Sequence, residues 1–250
     1  MLNTLIYPAD LAARSVSILI FVWVFINLWS VTYRAMGQDQ IGGMSLRETI
    51  WYLMLAEAIV LSKPRLAQNI SAAVKDGSIA YLLNKPYNFL LYQISIGIGE
   101  SITRLPFNLI AGGALVWMAM GPPPDLGAFP LVLIAIALGW IIDFLIAALI
   151  GLTAFMTEEI AAFEWIYAKF LLLLGGLLIP LDFFPAWLKQ IAQALPFAYT
   201  IYGPARLFVH PSVEYFIALS VGQLFWLISL GIGVALWYRK GTAWLTINGG

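Results

Sequence analysis

Cysteine is absent from the 250 residues, which excludes disulfides, thiolate metal sites and cysteine nucleophiles. Histidine occurs once, as His210 beside Pro211, and a lone histidine in such a segment reads as an interfacial residue rather than a metal ligand. No metal site is therefore expected. Charge is scarce as well: 10% of residues are Asp, Glu, Lys or Arg, and thirteen cations balance thirteen anions. Nothing in that balance points to a nucleic-acid partner. The pattern GxxxxGK[ST] is missing, so the chain has no P-loop to cradle a nucleotide. GxSxG and any paired nucleophile and base are missing too. No catalytic residue is assigned, and the chain is expected not to be an enzyme. Between Met1 and Ala13 there is no basic start followed by an apolar stretch, so no cleavable signal peptide is expected.

What remains is apolar sequence. Hydrophobic residues make up 62% of the chain and the mean hydropathy is +0.88, more than a soluble globular core needs. The apolar residues lie in long continuous runs, not in alternation, which predicts an all-α polytopic membrane protein and argues against a lipid-facing barrel. One transmembrane domain covers 1–250. Residues 1–13 are mixed, broken by Pro8 and Asp10, and read as an entry segment in the headgroup plane. A first span follows from about Arg14 to Arg34. GQDQIGG then turns the chain, and Ser45-Leu-Arg-Glu48 reads as a capping box opening a second span that runs to about Lys63 and contains Glu57. Phe89 to Met120 is too long for one untilted crossing and is expected to cross after Pro106, with Glu100 and Arg104 paired at i,i+4. The fourth span, about Phe129 to Phe155, carries Asp143. The fifth, about Phe163 to Leu181, includes Glu164 and Lys169, and the sixth runs from about Val213 to Trp237.

Two interruptions carry the functional argument. The first is the basic window Lys63 to Tyr92, within which 64–88 forms the region expected on the cytoplasmic side. Leu66, Ile70, Ala73 and Val74 recur at helical spacing, with Gln68, Asn69, Ser71, Lys75 and Asp76 opposite them. Asp76-Gly77 can end that helix. Ile79, Leu82 and Leu83 make a second apolar cluster before the break at Lys85-Pro86. Such a helix either lies on the lipid surface or docks in a groove of a cytoplasmic partner. The second interruption is 182–211, an aromatic-rich stretch divided by prolines. It is too short to span and too apolar for a free loop, which fits two short re-entrant helices dipping into the outer leaflet.

Arg14, Lys63, Arg65, Lys75, Lys85, Arg239 and Lys240 fall on one side of this scheme, and Arg34, Arg47, Lys189 and Arg206 on the other. The bias fits six crossings with both termini cytoplasmic. Hydropathy shows no inverted repeat and no twin broken helices, which weakens a secondary-transporter reading. Charges inside a bilayer cost about 2.5–3.5 kcal/mol each on insertion scales, so they face protein or water. Glu57 and Asp143 lack partners on their own helices. They either pair with Arg104 or Lys169 across helices or line a substrate path.

The stretches IGGMSLRETIWYL, DGSIAYLLNKPYNFLLYQIS and LLGGLLIPLDFFPAWLKQIAQALPFAYTIYGPARL, and the closing RKGTAWLTINGG, resemble in that order the permease subunits of ABC-2 type exporters, from about Ile41 to Gly250. The resemblance implies a cytoplasmic coupling helix between the second and third spans, here about Leu66 to Asp76, shaped by Gly77, Leu82, Lys85 and Pro86. It also implies outer helices at about Pro185 to Leu195 and Phe197 to Leu207. A longer, more basic entry helix is usual in relatives, and the N-terminus departs from it. Also implied are a homo- or heterodimer of permeases in the cytoplasmic (inner) membrane, and a separate ABC ATPase subunit that binds the ATP and Mg; this chain itself binds no cofactor. An amphipathic small molecule or lipid-like substrate would move outward past Glu57, Asp143, Phe183, Phe184, Trp187 and Tyr199. Charging Ile70 or Val74 is then expected to uncouple ATP hydrolysis from transport with the membrane fold intact. From another class, a membrane scaffold or assembly protein that moves nothing accepts the same helices.

Overall fold

The computed structural model describes residues 8–157 and 159–248. The first helix, α1 (Pro8–Met36), begins at a proline, where the missing N–H costs nothing because that donor would have no intrahelical partner. Residues 8–13 are thus continuous with the first span instead of forming a separate entry segment, and the remainder of that segment lies outside the described residues. Gly37, at φ +60°, ends the helix. A two-residue turn at Gly42 and Gly43, both with positive φ, then joins strands β1 (Gln40–Ile41) and β2 (Met44–Ser45), paired Gln40 with Ser45 and Ile41 with Met44. Gly42 is required twice over: a Cβ there would stand 2.5 Å from the Asp182 carbonyl oxygen.

Helix α2 (Leu46–Leu61) opens on the expected capping box. The Ser45 N–H donates to the Glu48 carboxylate at 2.7 Å, and the Glu48 N–H returns to Ser45 Oγ at 3.3 Å. Every residue from Thr49 to Ile59 is buried, because α2 is enclosed by α1, by α5 (Phe89–Met120) and by α10 (Tyr202–Val209). Helices α3 (Leu66–Lys75) and α4 (Ser78–Leu83) follow as a hairpin around Gly77, at φ +74°. Helix α5 is continuous through Pro106, and Glu100 pairs with Arg104 at 2.7 Å as the spacing predicts. Next come α6 (Phe129–Leu152), a 3₁₀ turn at Thr153–Phe155 and α7 (Ala161–Leu173). Another 3₁₀ turn (Leu181–Phe183) leads to α8 (Ala186–Ala194), α9 (Pro196–Thr200) and α10, and the long α11 (Val213–Asn248) closes the chain.

The architecture is that of an all-α multi-pass membrane protein. Among the described residues, four helices are long and apolar enough to cross a bilayer: Val16–Met36, Phe89–Met120, Phe129–Phe155 and Val213–Lys240. The second and fifth expected spans are shorter than read. Helix α2 has 16 residues and α7 has 13, about 24 and 20 Å of rise against a hydrocarbon core of about 30 Å. The 182–211 segment also differs in detail. Instead of two helices it holds three, since Ile201, buried and at φ −125°, ψ −61°, breaks the second into α9 and α10.

This segment packs into the helix layer. A Cβ at Gly139, part-way along α6, would lie 3.0 Å from the Thr200 carbonyl oxygen and 3.1 Å from that of Tyr199, so α9 sits directly on the α6 backbone. The buried Gln223 amide of α11 clamps the contact by donating to the carbonyls of Ala135, at 2.8 Å, and Tyr199, at 3.0 Å. The molecule has two distinct ends. At one, the β1–β2 hairpin meets the 182–183 turn, and Arg47 donates to the Pro122 carbonyl of the 121–128 loop. At the other, α3 meets the C-terminal end of α6.

Candidate functional site

The second end is built around a polar elbow, Ser62-Lys63-Pro64, where α2 turns into α3. Ser62 Oγ donates to the Ala58 carbonyl at 2.6 Å and accepts from the Asn108 amide at 3.0 Å. The Lys63 carbonyl accepts from Arg104 at 3.1 Å. Pro64 lies on Gly97, where a Cβ would come within 2.9 Å of its ring. The elbow is thereby fastened to α5. Its side chain fastens it to α6: Lys63 Nζ reaches Asp143 at 2.5 Å, the two side chains only 12% and 6% exposed. Tyr167 of α7 donates its hydroxyl to the same carboxylate oxygen, and its ring continues to Phe197 of α9, with centroids 5.9 Å apart. The elbow and α7 thus converge on one carboxylate of α6. Charge compensation with a further hydrogen bond is what a buried ion pair requires to survive desolvation.

The expected partners of Asp143 are thus corrected. Arg104 is engaged by Glu100 and the elbow carbonyl, and Lys169 lies over the Trp165 ring at 5.2 Å. Lys63 takes their place. It follows the apolar run of α2 directly and reads in sequence as a loop cation, so its inward turn had no local signal. Glu57 is buried on α2 and joins no ion pair among the described residues. A cavity of about 360 Å³ runs beside the elbow, lined by Lys63, Asp143, Glu164, Trp165 and Tyr167 together with Gln68 of α3.

Beyond the elbow, α3 has the amphipathic pattern expected of it, but its apolar face is already occupied. Leu66, Ile70 and Ala73 are buried within the chain. A Cβ at Gly151 of α6 would fall 2.8 Å from Ile70 Cβ and 3.0 Å from the Ala67 carbonyl oxygen, so α3 lies against bare backbone. Leu66, Ile70 and Ala73, expected to face a partner, thus lie buried within the chain itself, with Ile70 against the Gly151 backbone. Val74 and Leu82 are half-buried. What remains outward is a polar and aromatic strip: Lys75, Asp76, Gly77, Tyr81, Pro86 and Tyr87 are exposed and Lys85 is half-exposed.

That strip has its own order. The Asp76 carboxylate accepts from the Ser78 N–H at 2.8 Å, and hydrogen bonds from the Ser78 hydroxyl and N–H hold the carboxyl below its usual range. Lys85 sits over the rings of Tyr81, at 4.9 Å, and Tyr87, at 5.7 Å. A hydrogen bond with Tyr87 pushes the Lys85 amine above its ordinary value. Lys75 reaches Glu159, just before α7, at 3.3 Å and holds that carboxyl below its ordinary value.

The other predicted path residues are spread out. Phe183 is half-buried and meets Trp29 edge-on at 5.2 Å. Phe184 is half-buried, and Trp187 of α8 is exposed. Tyr199 lines a cavity of about 190 Å³ with Gln193, Tyr202, Gly203 and Tyr215, while Asp143 lines the one beside the elbow. Sequence reading missed a second cluster around Asp182, which binds Lys189 at 2.6 Å and lies 3.4 Å from Arg206, with the Tyr202 hydroxyl donating at 3.1 Å. Asp182, Lys189, Tyr202 and Arg206 are far enough apart in sequence that only the folding of α8 to α10 unites them.

A family profile described as ABC-2 family transporter protein matches residues 17–249. Neither the curated proteins nor the solved structures contain a match to this chain.

Proposed function

Since this chain belongs to the ABC-2 transporter family, a membrane component of ABC transport, we propose that it works as an export permease whose α3–α4 hairpin receives a separate cytoplasmic ATPase. ATP and Mg would be held by that partner. One observation supports the reading above the rest: the hairpin has an exposed strip, Lys75 to Tyr87, while its opposite face is packed on α6 at Gly151 and its base is ion-paired to Asp143. A push on the strip therefore has a stiff route into the bundle. In this reading α2 and α7 complete six crossings, both termini are cytoplasmic, and α8 to α10 form a re-entrant cap on the outer side. Two permeases, identical or paralogous, pair around a path for an amphipathic or lipid-like molecule. Glu57, Asp143, Phe183, Phe184, Trp187 and Tyr199 are its candidate lining.

The test is co-purification of the chain with its native neighbours in mild detergent. A stoichiometric P-loop ATPase should co-elute, and Tyr81→Glu combined with Lys85→Glu should abolish that co-elution while leaving the melting temperature of the permease unchanged. Co-elution with non-ATPase proteins alone would replace transport by a scaffolding role.

A further inference from the structure

At the end of the molecule opposite the elbow, a groove of about 310 Å³ lies between α5 and the 123–129 stretch, within the roughly 300–1,000 Å³ of small-ligand sites. Its floor is Trp51 and Met54 of α2 and Phe208 of α10, all buried. Its rim is Ile110 and Trp117 of α5 and Leu126 of the following loop, all exposed. The floor is held in shape by aromatic edges, with Trp51 and Phe129 each meeting Phe208 edge-on at 6.0 and 6.2 Å. The Trp51 indole N–H is also tied to the Gly121 carbonyl at 3.3 Å. Gly113 leaves the groove open: a Cβ there would meet nothing closer than Trp51, at 3.8 Å.

The lining is almost wholly apolar, yet a cation stands at its mouth. Arg47 is exposed and donates through Nε to the Pro122 carbonyl at 2.8 Å and through Nη2 to that of Pro123 at 3.4 Å, and Pro123 lines the groove. Both Nη1 hydrogens and the whole positive charge remain for an outside ligand, because no acidic side chain pairs with Arg47 among the described residues. A helix, about 10–12 Å across with its side chains, does not fit a slot of this volume, whereas a single alkyl chain does. A ligand that joins an alkyl chain to an anion at the membrane surface matches both features.

We propose that this groove holds one acyl chain of a glycerophospholipid whose phosphate is bound by Arg47. The site rests only on the chain being a membrane protein, so its failure and that of the transport reading are separable. The experiment takes the full chain in mild detergent, strips it of lipid by exchange, titrates it with dioleoylphosphatidylglycerol and counts retained lipid by native mass spectrometry. One lipid should be retained per chain. Gly113→Leu, which fills the groove, should cut occupancy at least about tenfold, while Gly113→Ala keeps it. Arg47→Gln retains a donor for Pro122 and loses the charge, and should weaken binding by roughly tenfold. If Gly113→Leu does not fold, Ala114→Phe obstructs the groove from its exposed wall and reads the same quantity. Equal retention by wild type and the groove-filling variants would overturn the site. Hexadecanol binding as tightly as the phospholipid, with Arg47→Gln unaffected, would reduce it to an unselective apolar slot and overturn it equally.

Discussion

Replacing Ile70 by Ala tests how the α3–α4 hairpin is held. Ile70 is fully buried, and its Cβ stands where Gly151 leaves room for it and for no more. Truncating a buried Ile to Ala costs about 2–5 kcal/mol through lost transfer energy and the cavity left behind. The upper half of that range applies here, because backbone lies on the far side of the contact and cannot collapse into the gap. Ile70→Glu adds the desolvation of a buried carboxylate, which raises the cost further. Tyr81→Ala, at a position 68% exposed, should stay within about 0.5 kcal/mol of wild type. Thermal melting of the purified chain in one detergent, followed by intrinsic fluorescence and by the rate of proteolysis within 62–88, separates the cases. Both Ile70 variants should melt lower and be cut faster, and Tyr81→Ala should do neither. If Ile70→Glu melts with wild type and only ATPase stimulation is lost, the apolar face of α3 belongs to the partner and the packing argument fails.

Asp143→Asn should destabilise the chain by about 3–5 kcal/mol, since it leaves Lys63 buried without its counter-charge. Lys63→Met in the same chain should recover part of that loss, and a double-mutant cycle on melting measures the coupling. The Lys75–Glu159 contact predicts a pH dependence. Glu159 has a depressed carboxyl pKa in the folded chain, so its contribution is fully present above the unfolded value of about 4.3 and is lost as pH falls through the lower folded value. Lys75→Gln should therefore differ from wild type in proteolysis of 153–160 at pH 7 and low salt, and the difference should vanish well below pH 4.

Much of the architecture was legible because it rests on local or periodic signals. The capping box at Ser45 and Glu48, the left-handed stop at Gly77 and the Glu100–Arg104 pair each involve residues within a few positions of one another, and each was placed correctly. Long apolar runs reveal α1, α5, α6 and α11 because crossing a bilayer demands length and hydrophobicity in one continuous stretch. The amphipathic period of α3 was equally plain, yet the period says only that one face seeks apolar surroundings. It does not say whether lipid, a partner or the chain itself supplies them. The answer lay in Gly151, more than seventy residues away, whose missing side chain lets Ile70 close on α6.

Residue chemistry by itself thus determined the class of this protein and the positions of its main helices, since those follow from composition and short-range spacing. Only the tertiary structure decided that Lys63 is the partner of Asp143 and that Ile201 splits the 182–211 segment. It alone showed that α9 rests on Gly139 and that Trp51, Met54 and Phe208 floor an apolar groove. Each of these depends on which helices lie side by side. That choice is made by close packing over small residues and by pairing of buried charges, neither of which leaves a periodic trace along the chain.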